Sequence, residues 1–287
     1  MPEVSIIILN YNTFQLTCNC IESVVKHTKD VSYEIILVDN NSTECNAELF
    51  LEKFTSIKLI KSNINGGFAK GNNLGIEAAT GNYILLLNSD TYLIEDAISN
   101  TFKATKNRNV EEVIGCKMIF ESGKIQHTAR KFRSINWEIL DLLRIVLYIL
   151  PYSTRAKLML GKYFNCDFST TCDWLNGAFF MFSKSMLQNL PNQKLDERFF
   201  MYGEDHLWCL QFKQLGYDCF FYEKTKLVHI NNGSTSKEKQ LKLRNVMLFN
   251  ELVIMKLRKR NGFYFNLFKL IFTIKEKSRN FILGLLK

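Results

Sequence analysis

Four short stretches of this sequence gather side chains that could do chemistry near neutral pH. Asp39-Asn40-Asn41-Ser42 follows the apolar run Glu34 to Val38, and Asn88-Ser89-Asp90 follows Tyr83 to Leu87. Glu204-Asp205-His206 follows Tyr202-Gly203, and His229 closes Leu227-Val228 before Ile230-Asn231-Asn232-Gly233-Ser234. Ligands of open α/β sheets sit at the carboxyl ends of strands. Asp39 and Asp90 are therefore candidate ligand contacts, Asp90 for a metal or a phosphate. Either alone could also be a turn or helix-cap residue. Between them lies a glycine-bearing loop, Asn63 to Gly67, where Gly66-Gly67 frees the backbone for close approach to a ligand. Two strand-end carboxylates with that loop between them favour a nucleotide site. The paired acids Glu204 and Asp205 open a helix over 204–214. They could serve its dipole alone, or one could act as a general base.

These residues need a frame, and the first ninety supply one. Val4 to Leu9 is a β-rich run, and helical spacing over 14–26 marks a crossover helix. Glu34 to Val38 is a second strand, residues 45–54 a helix, Ile57 to Ile60 a third strand, Phe68 to Ala79 a helix stopped by Gly81, and Tyr83 to Leu87 a fourth strand. An unbroken apolar strand is covered on both faces. This βαβαβαβ rhythm predicts a mostly parallel, doubly wound sheet flanked by helices. Further along, 95–110 reads as a surface helix, Val113 to Ile119 and Phe179 to Phe182 as strands, and 137–150 as one apolar helix stopped by Pro151. His27 reads as surface and His127 as structural or surface.

Composition narrows the function classes. At 287 residues with 47% hydrophobic content the chain can bury a large core. No run of 18 predominantly apolar residues occurs, so no spanning helix is expected. Nor is there a signal-peptide pattern at the N-terminus, and the eight cysteines without a CxxC pair are expected to be reduced thiols. The net charge of +9 is concentrated: residues 256–287 hold nine Lys/Arg and one acid, Glu276, leaving the first 255 residues near neutral. Aromatic and aliphatic residues alternate with those cations from Phe263 to Ile274. Nucleic acid is not expected, because no nucleic-acid motif accompanies the charge. An interfacial helix on anionic lipid fits, as does a helix packed on the body with a solvated basic face.

VSIIILNYN, VDNNS, NINGGFAKGNNLGI and NSD, in that order and spacing, resemble the family 2 glycosyltransferases, and within them a bacterial rhamnosyltransferase-like branch. The likeness covers roughly residues 3–235. Gly66, Gly67 and Gly71 do not fit GxGxxG, so the dinucleotide fingerprint fails. The resemblance implies the GT-A fold and an inverting enzyme that uses a sugar nucleotide and a divalent metal, Mg²⁺ or Mn²⁺. It implies nucleotide contacts at Asn10, Tyr11, Asn12, Asp39, Gly67, Lys70, Asn72 and Ser89. It implies metal binding by Asp90, where Asn88 replaces the first Asp of the usual DxD, and by His229, with His206 a secondary candidate. It implies acceptor contacts at Trp174 and Gly177, in a Trp-x-x-Gly-Ala pattern, and a base at Asp205 beside Glu204. The chain departs from the family at Asn72 and at Gln211, positions where relatives often carry Arg.

The expected organisation is a catalytic domain over 1–235, its nucleotide half 1–115 and acceptor half 116–235, then a basic amphipathic helical tail over 236–287. The expected reaction moves a hexose or deoxyhexose from a dTDP- or UDP-linked donor to a glycan or lipid-linked glycan hydroxyl. The expected location is cytoplasmic, peripheral on the inner face of the plasma membrane. Rival readings are a decayed carbohydrate-binding or scaffold protein and a sugar-phosphate nucleotidyltransferase. The second needs a glycine- and Arg/Lys-rich loop after strand one, which Asn10 to Phe14 does not provide.

Overall fold

The computed structural model describes residues 1–230, 237–259 and 261–285. The Gly/Ser-bearing loop after His229 and the boundary expected at 235/236 lie outside the described residues. The chain runs β1 (Val4–Asn10), α1 (Phe14–His27), β2 (Tyr33–Asp39), α2 (Leu49–Lys53), β3 (Lys58–Lys61), α3 (Gly67–Ala78), β4 (Tyr83–Asn88), β5 (Thr91–Leu93) and α4 (Ala97–Arg108). It continues with β6 (Glu112–Ile119), β7 (Ile125–Gln126), β8 (Ala129–Arg130), α5 (Ile135–Leu142), α6 (Arg144–Leu147) and α7 (Tyr152–Met159). The last elements are β9 (Thr170–Cys172), β10 (Trp174–Leu175), β11 (Phe179–Ser183), α8 (Glu204–Gln214), β12 (Asp218–His229), α9 (Lys237–Arg258) and α10 (Gly262–Leu285).

The main sheet has the order β3-β2-β1-β4-β11-β6-β12-β5. β1 pairs in parallel with β2 and β4, β2 with β3, and β12 with β6; β11 runs antiparallel to β4 and β6, and β5 antiparallel to β12. This is the mostly parallel α/β sheet expected. Alternate strand residues feed two cores. Ile6, Ile8, Leu37, Leu85 and Leu87 meet α1 and α4 on one face, and Ile7, Ile36, Val38, Leu86 and Phe180 meet α3 and α8 on the other. Burial on both faces is why these strands carry unbroken apolar runs.

Two helix expectations need correction. The helix expected over 45–54 is only the five residues of α2. The helix expected over 137–150 is two, because Leu143 leaves helical geometry with ψ at 28°. The orientation of α5 is the larger surprise. Its charged face turns inward: Glu138 is fully buried and Asp141 nearly so, while Ile139, Leu142 and Leu143 are exposed. The cause lies in α10. Lys275 bonds both Glu138 and Asp141 at 2.5 Å, and Arg133 reaches Glu138 at 3.2 Å and Glu276 at 3.4 Å. Burial opposes the ionisation of Asp141, but Lys162, Lys275 and Tyr163 hold its carboxyl well below the usual range. Phe268 and Phe272 of α10 and Met255 of α9 close a small core beside this network. The helices of the basic segment thus pack on the body. No described cysteine forms a disulfide, and seven of the eight are buried or nearly so, with Cys45 half-buried.

Candidate active site

Register brings the first candidates together. Asn10 lies opposite Asp39, and Leu9 opposite Asn88, so the carboxyl ends of β1, β2 and β4 form one edge. Asn10 Nδ2 donates to Asp39 Oδ1 at 2.7 Å and to Ser42 Oγ at 2.9 Å, while the Ser42 amide donates to Asp39 Oδ2 at 3.1 Å. Asn10 Oδ1 accepts from Thr13 and Thr17. Asn10 is therefore consumed in fixing Asp39, and Tyr11, 44% exposed, is the open aromatic of this edge. Asn12 adopts a left-handed φ of 52°, and its Oδ1 accepts the Thr43 amide at 2.7 Å. Ser89 Oγ meets Thr13 Oγ1 at 3.2 Å.

The glycine loop approaches protein rather than open space. Gly67 has φ +82°, and a Cβ there would stand 2.4 Å from the Phe200 carbonyl, which accepts the Phe68 amide at 2.9 Å. No local signal marks this contact, since Phe200 is far along the chain. Asn40 holds the loop from the other side. Its Oδ1 accepts the Gly66 amide and its Nδ2 reaches Asn65 and the Gly67 carbonyl. Lys70 is exposed at the start of α3, its stem against Gly66. Asn72 is turned inward, 1% exposed, with its amide on the Phe68 carbonyl at 2.9 Å.

Asp90 and His229 meet: His229 Nε2 stands 3.2 Å from Asp90 Oδ1, and the Ile230 amide donates to the Asp90 carbonyl. Gln126, which the sequence reading missed, orients the ring. Its Nε2 donates to the His229 carbonyl at 2.6 Å, so its Oε1 must accept from His229 Nδ1 at 2.8 Å. Nδ1 thus carries a proton and Nε2 faces the carboxylate, as in metal-bound histidines whose second nitrogen is held by a neighbour. Two donors at neighbouring positions of an octahedral ion stand about 3.0 Å apart, so the pair fits one divalent cation. The buried Asn88 Oδ1 at the same strand end has no partner. Among the described residues no group of three or more His, Cys, Asp and Glu is placed to hold a metal. The remaining coordination positions would fall to oxygens from the ligand and water.

Asp205 stands at the start of α8. Gly177 N–H donates to its Oδ2 at 3.0 Å and His206 N–H to its Oδ1 at 2.8 Å. The Ala178 carbonyl, one residue on, accepts the Asn88 amide at 3.0 Å. Two adjacent residues before β11 therefore tie the end of β4 to the carboxylate. Burial pushes both acids up. On Asp205 the two N–H donors and the charges of His206 and Arg130 oppose that push, whereas on Glu204 the charge of Asp205 adds to it. Glu204 Oε2 is buried without a partner. Environments that separate two neighbouring carboxyls in this way divide them into an ionised and a neutral member. Of the two, Asp205 has the surroundings that favour the anion.

Trp174 is half-buried and stacks on His206, with centroids 4.6 Å apart and the rings inclined by 18°. His206 is stacked again on Phe132, and its Nδ1 stands 3.3 Å from Glu251 Oε2. Gly177 contributes its N–H to Asp205. Gln211 Nε2 donates to Asp196. His127 is half-buried against the Phe164 carbonyl, a structural placement.

A mostly parallel α/β sheet with its polar side chains gathered along one carboxyl edge defines a GT-A-type fold. The profile of "Glycosyl transferase family 2" matches residues 5–171, more than half of the chain, and the chain belongs to that family. Glycosyltransferase GlyG of Streptococcus pneumoniae serotype 4 is 30% identical over 115 residues, 39% of this chain and 38% of that protein. A poly(ribitol-phosphate) beta-N-acetylglucosaminyltransferase, TarP of Staphylococcus aureus, is 28% identical over 141 residues, 44% of this chain and 43% of that protein. The chain spans well under half the length of these curated relatives. The crystal structure of S. aureus TarS superposes with a TM-score of 0.54 at 14% identity, over 88% of this chain and 40% of that one, a likeness of fold.

Proposed function

We propose that this chain is an inverting, metal-dependent glycosyltransferase. It moves a hexose or deoxyhexose from a dTDP- or UDP-linked donor to a hydroxyl of a cell-envelope glycan. The observation that carries this reading is the tie from Asn88 through Ala178 and Gly177 to Asp205, which sets a buried carboxylate beside the ligand edge of the sheet. Asp39 and Tyr11 border the nucleobase and ribose, and Lys70 approaches the diphosphate. A divalent cation held by Asp90 and His229 would offset the charge that develops on the leaving diphosphate. Asp205 takes the proton of the acceptor hydroxyl as that oxygen attacks the anomeric carbon from the face opposite the leaving group. Glu204, kept neutral, donates a hydrogen bond on the acceptor side. Envelope glycans are favoured because relatives include proteins named for poly(ribitol-phosphate) and O-antigen.

Calorimetric titration with dTDP-rhamnose, UDP-N-acetylglucosamine, UDP-galactose and GDP-mannose, with and without Mn²⁺, tests the reading. Metal-dependent binding of one donor supports it, and the rhamnose arm decides the branch resembled. Folded protein that binds none of the four would favour a carbohydrate-binding or scaffold role.

The same proposal places the chain on the inner face of the plasma membrane, next to a lipid-linked acceptor. No helix among the described residues is long and apolar enough to cross a membrane. Yet α10 has apolar residues on both sides. Phe268 and Phe272 face inward, while Phe263, Leu267, Leu270 and Ile274 form an exposed stripe. Exposed Lys256, Lys259, Lys269, Lys277 and Arg279 supply cations for anionic lipid. Co-sedimentation with vesicles measures this association.

A further inference from the structure

α9 belongs to the segment that the sequence sets apart as a tail, yet it meets the turn that places Asp205. Asn250 and Ile254, one helical turn apart, share a face of α9, and both are buried. A Cβ on Gly203 would lie 3.2 Å from Asn250 Cβ and 3.6 Å from Ile254 Cδ1, so the helix is seated on the turn. Asn250 Nδ2 donates to the Tyr202 carbonyl at 2.5 Å. None of these residues lies within 5–171, so the family match does not extend to this contact.

The turn needs such a hold. Tyr202 and Gly203 have φ of 68° and 99°, and only glycine takes such values freely. A tyrosine disfavours that region and, once released, relaxes toward negative φ. The Gly203 carbonyl accepts the Leu207 amide at 2.9 Å, so α8 starts from this turn, and Glu204 and Asp205 occupy its first positions. A change of φ at Tyr202 therefore swings both carboxylates. Earlier in the same loop the Phe200 carbonyl accepts the Phe68 amide at 2.9 Å. That bond fixes the loop against the start of α3 and leaves Tyr202 and Gly203 to be held from α9.

We propose that Asn250 is a positioning residue for the transfer reaction: by holding the Tyr202 carbonyl it fixes the Tyr202-Gly203 turn from which α8 presents Asp205. The inference rests on Asp205 being the base. It makes α9 part of the catalytic body and not a tail appended to it. The Asn250 amide touches no substrate and acts only through the turn. Removing its N–H lets the turn relax, and the bond from the Gly177 amide to Asp205 Oδ2 loosens with it. The Asp39 edge, held by Asn10 and Ser42, stays as it is.

Amide hydrogen exchange in the full chain tests this without any substrate. Asn250→Leu keeps the size of the side chain and removes the donor. It should speed exchange of the Gly177 amide about tenfold, the worth of one hydrogen bond, and leave the Ser42 amide, which bonds Asp39, unchanged. In a Tyr202→Gly background the turn keeps its positive φ unaided. There the same substitution should change Gly177 exchange by less than about threefold, whereas a loss of packing alone would act equally in both backgrounds. If Asn250→Leu does not fold, Asn250→Ala carries the same expectations. An unchanged Gly177 rate, an equal rise at Ser42 or an equal rise in both backgrounds overturns the proposal. With the donor found by calorimetry, Asn250→Leu should lower turnover about tenfold at unchanged donor affinity. Full turnover in Asn250→Leu, where Asp205→Asn is inactive, also overturns it. Wild-type turnover in Asp205→Asn withdraws the base role instead, whatever the exchange rates show.

Discussion

Asp39 and Asp205 are each held by two hydrogen bonds, yet the two sites are built differently. Asp39 is bound by Asn10, which register places opposite it on the adjacent parallel strand, and by Ser42, three residues on in the turn after β2. Everything needed to fix it lies within the first fifty residues. Asp205 is bound by Gly177 and by the residue that follows it, and its surroundings come from β8, β10 and α9. Two neighbouring aromatics, a buried histidine and a carboxylate 46 positions later in the chain complete that wall. One region is set by sheet register and the other by packing between distant segments. The first should tolerate changes far away, and the second should not.

The sharpest way to break this comparison is Asp205→Asn. It keeps the shape and removes the base, so turnover with the donor identified by calorimetry should fall about 10²–10⁴-fold. Donor affinity should stay within a factor of two or so, because the nucleotide edge is built separately. Equal loss of donor binding would mean that the two regions are one cooperative site.

Gln126→Leu probes the edge between them at smaller amplitude. The substitution frees the His229 ring and removes the acceptor that fixes its Nδ1 proton. Loss of such an orienting partner costs about 10- to 100-fold in metal affinity. Titration of Mn²⁺ in the presence of donor, followed by paramagnetic broadening, reads that loss directly. Unchanged Mn²⁺ affinity would remove His229 from the metal site and leave its contact with Asp90 as an ion pair.

Legibility followed the same division. The alternating strands and crossover helices were readable because each buried strand writes its own apolar run, and Asp39, Asn88 and Asp90 were readable as the polar residues that end those runs. Asn40 was visible only as part of a polar cluster; nothing local marks it as the clamp on Gly66 and Gly67. Nor does anything local mark the Phe200 carbonyl as the close neighbour of Gly67. Gln126, Asn250 and Glu251 carry no signal at all. Their roles come from contacts 45 or more positions apart. Residues 137–150 misled in the opposite sense. They read as one apolar helix, but Lys275 draws Glu138 and Asp141 inside and leaves Ile139 and Leu142 outside.

That inversion yields the gentlest test of the comparison, because it concerns a surface rather than a site. Ile139, Leu142, Leu143, Ile145 and Ile149 are exposed on α5 and beyond it, and α10, which packs on α5, adds its own outward stripe. Ile274 is 57% exposed and Lys275, next to it, is buried in the ion-pair network. Ile274→Glu should leave the melting temperature unchanged, because little is buried there to lose. Inserting an apolar side chain of this size into an interface contributes up to about 1.5–3 kcal/mol, and a new anion facing anionic lipid adds to the loss. Co-sedimentation with phosphatidylglycerol vesicles should therefore weaken about tenfold, and phosphatidylcholine vesicles should bind weakly throughout. If vesicle binding is absent and wild type is instead a dimer that Ile274→Glu disperses, a second copy of this chain covers the stripe. In that case the acceptor wall, α9 and α10 would belong to an interface between subunits and not to a membrane surface.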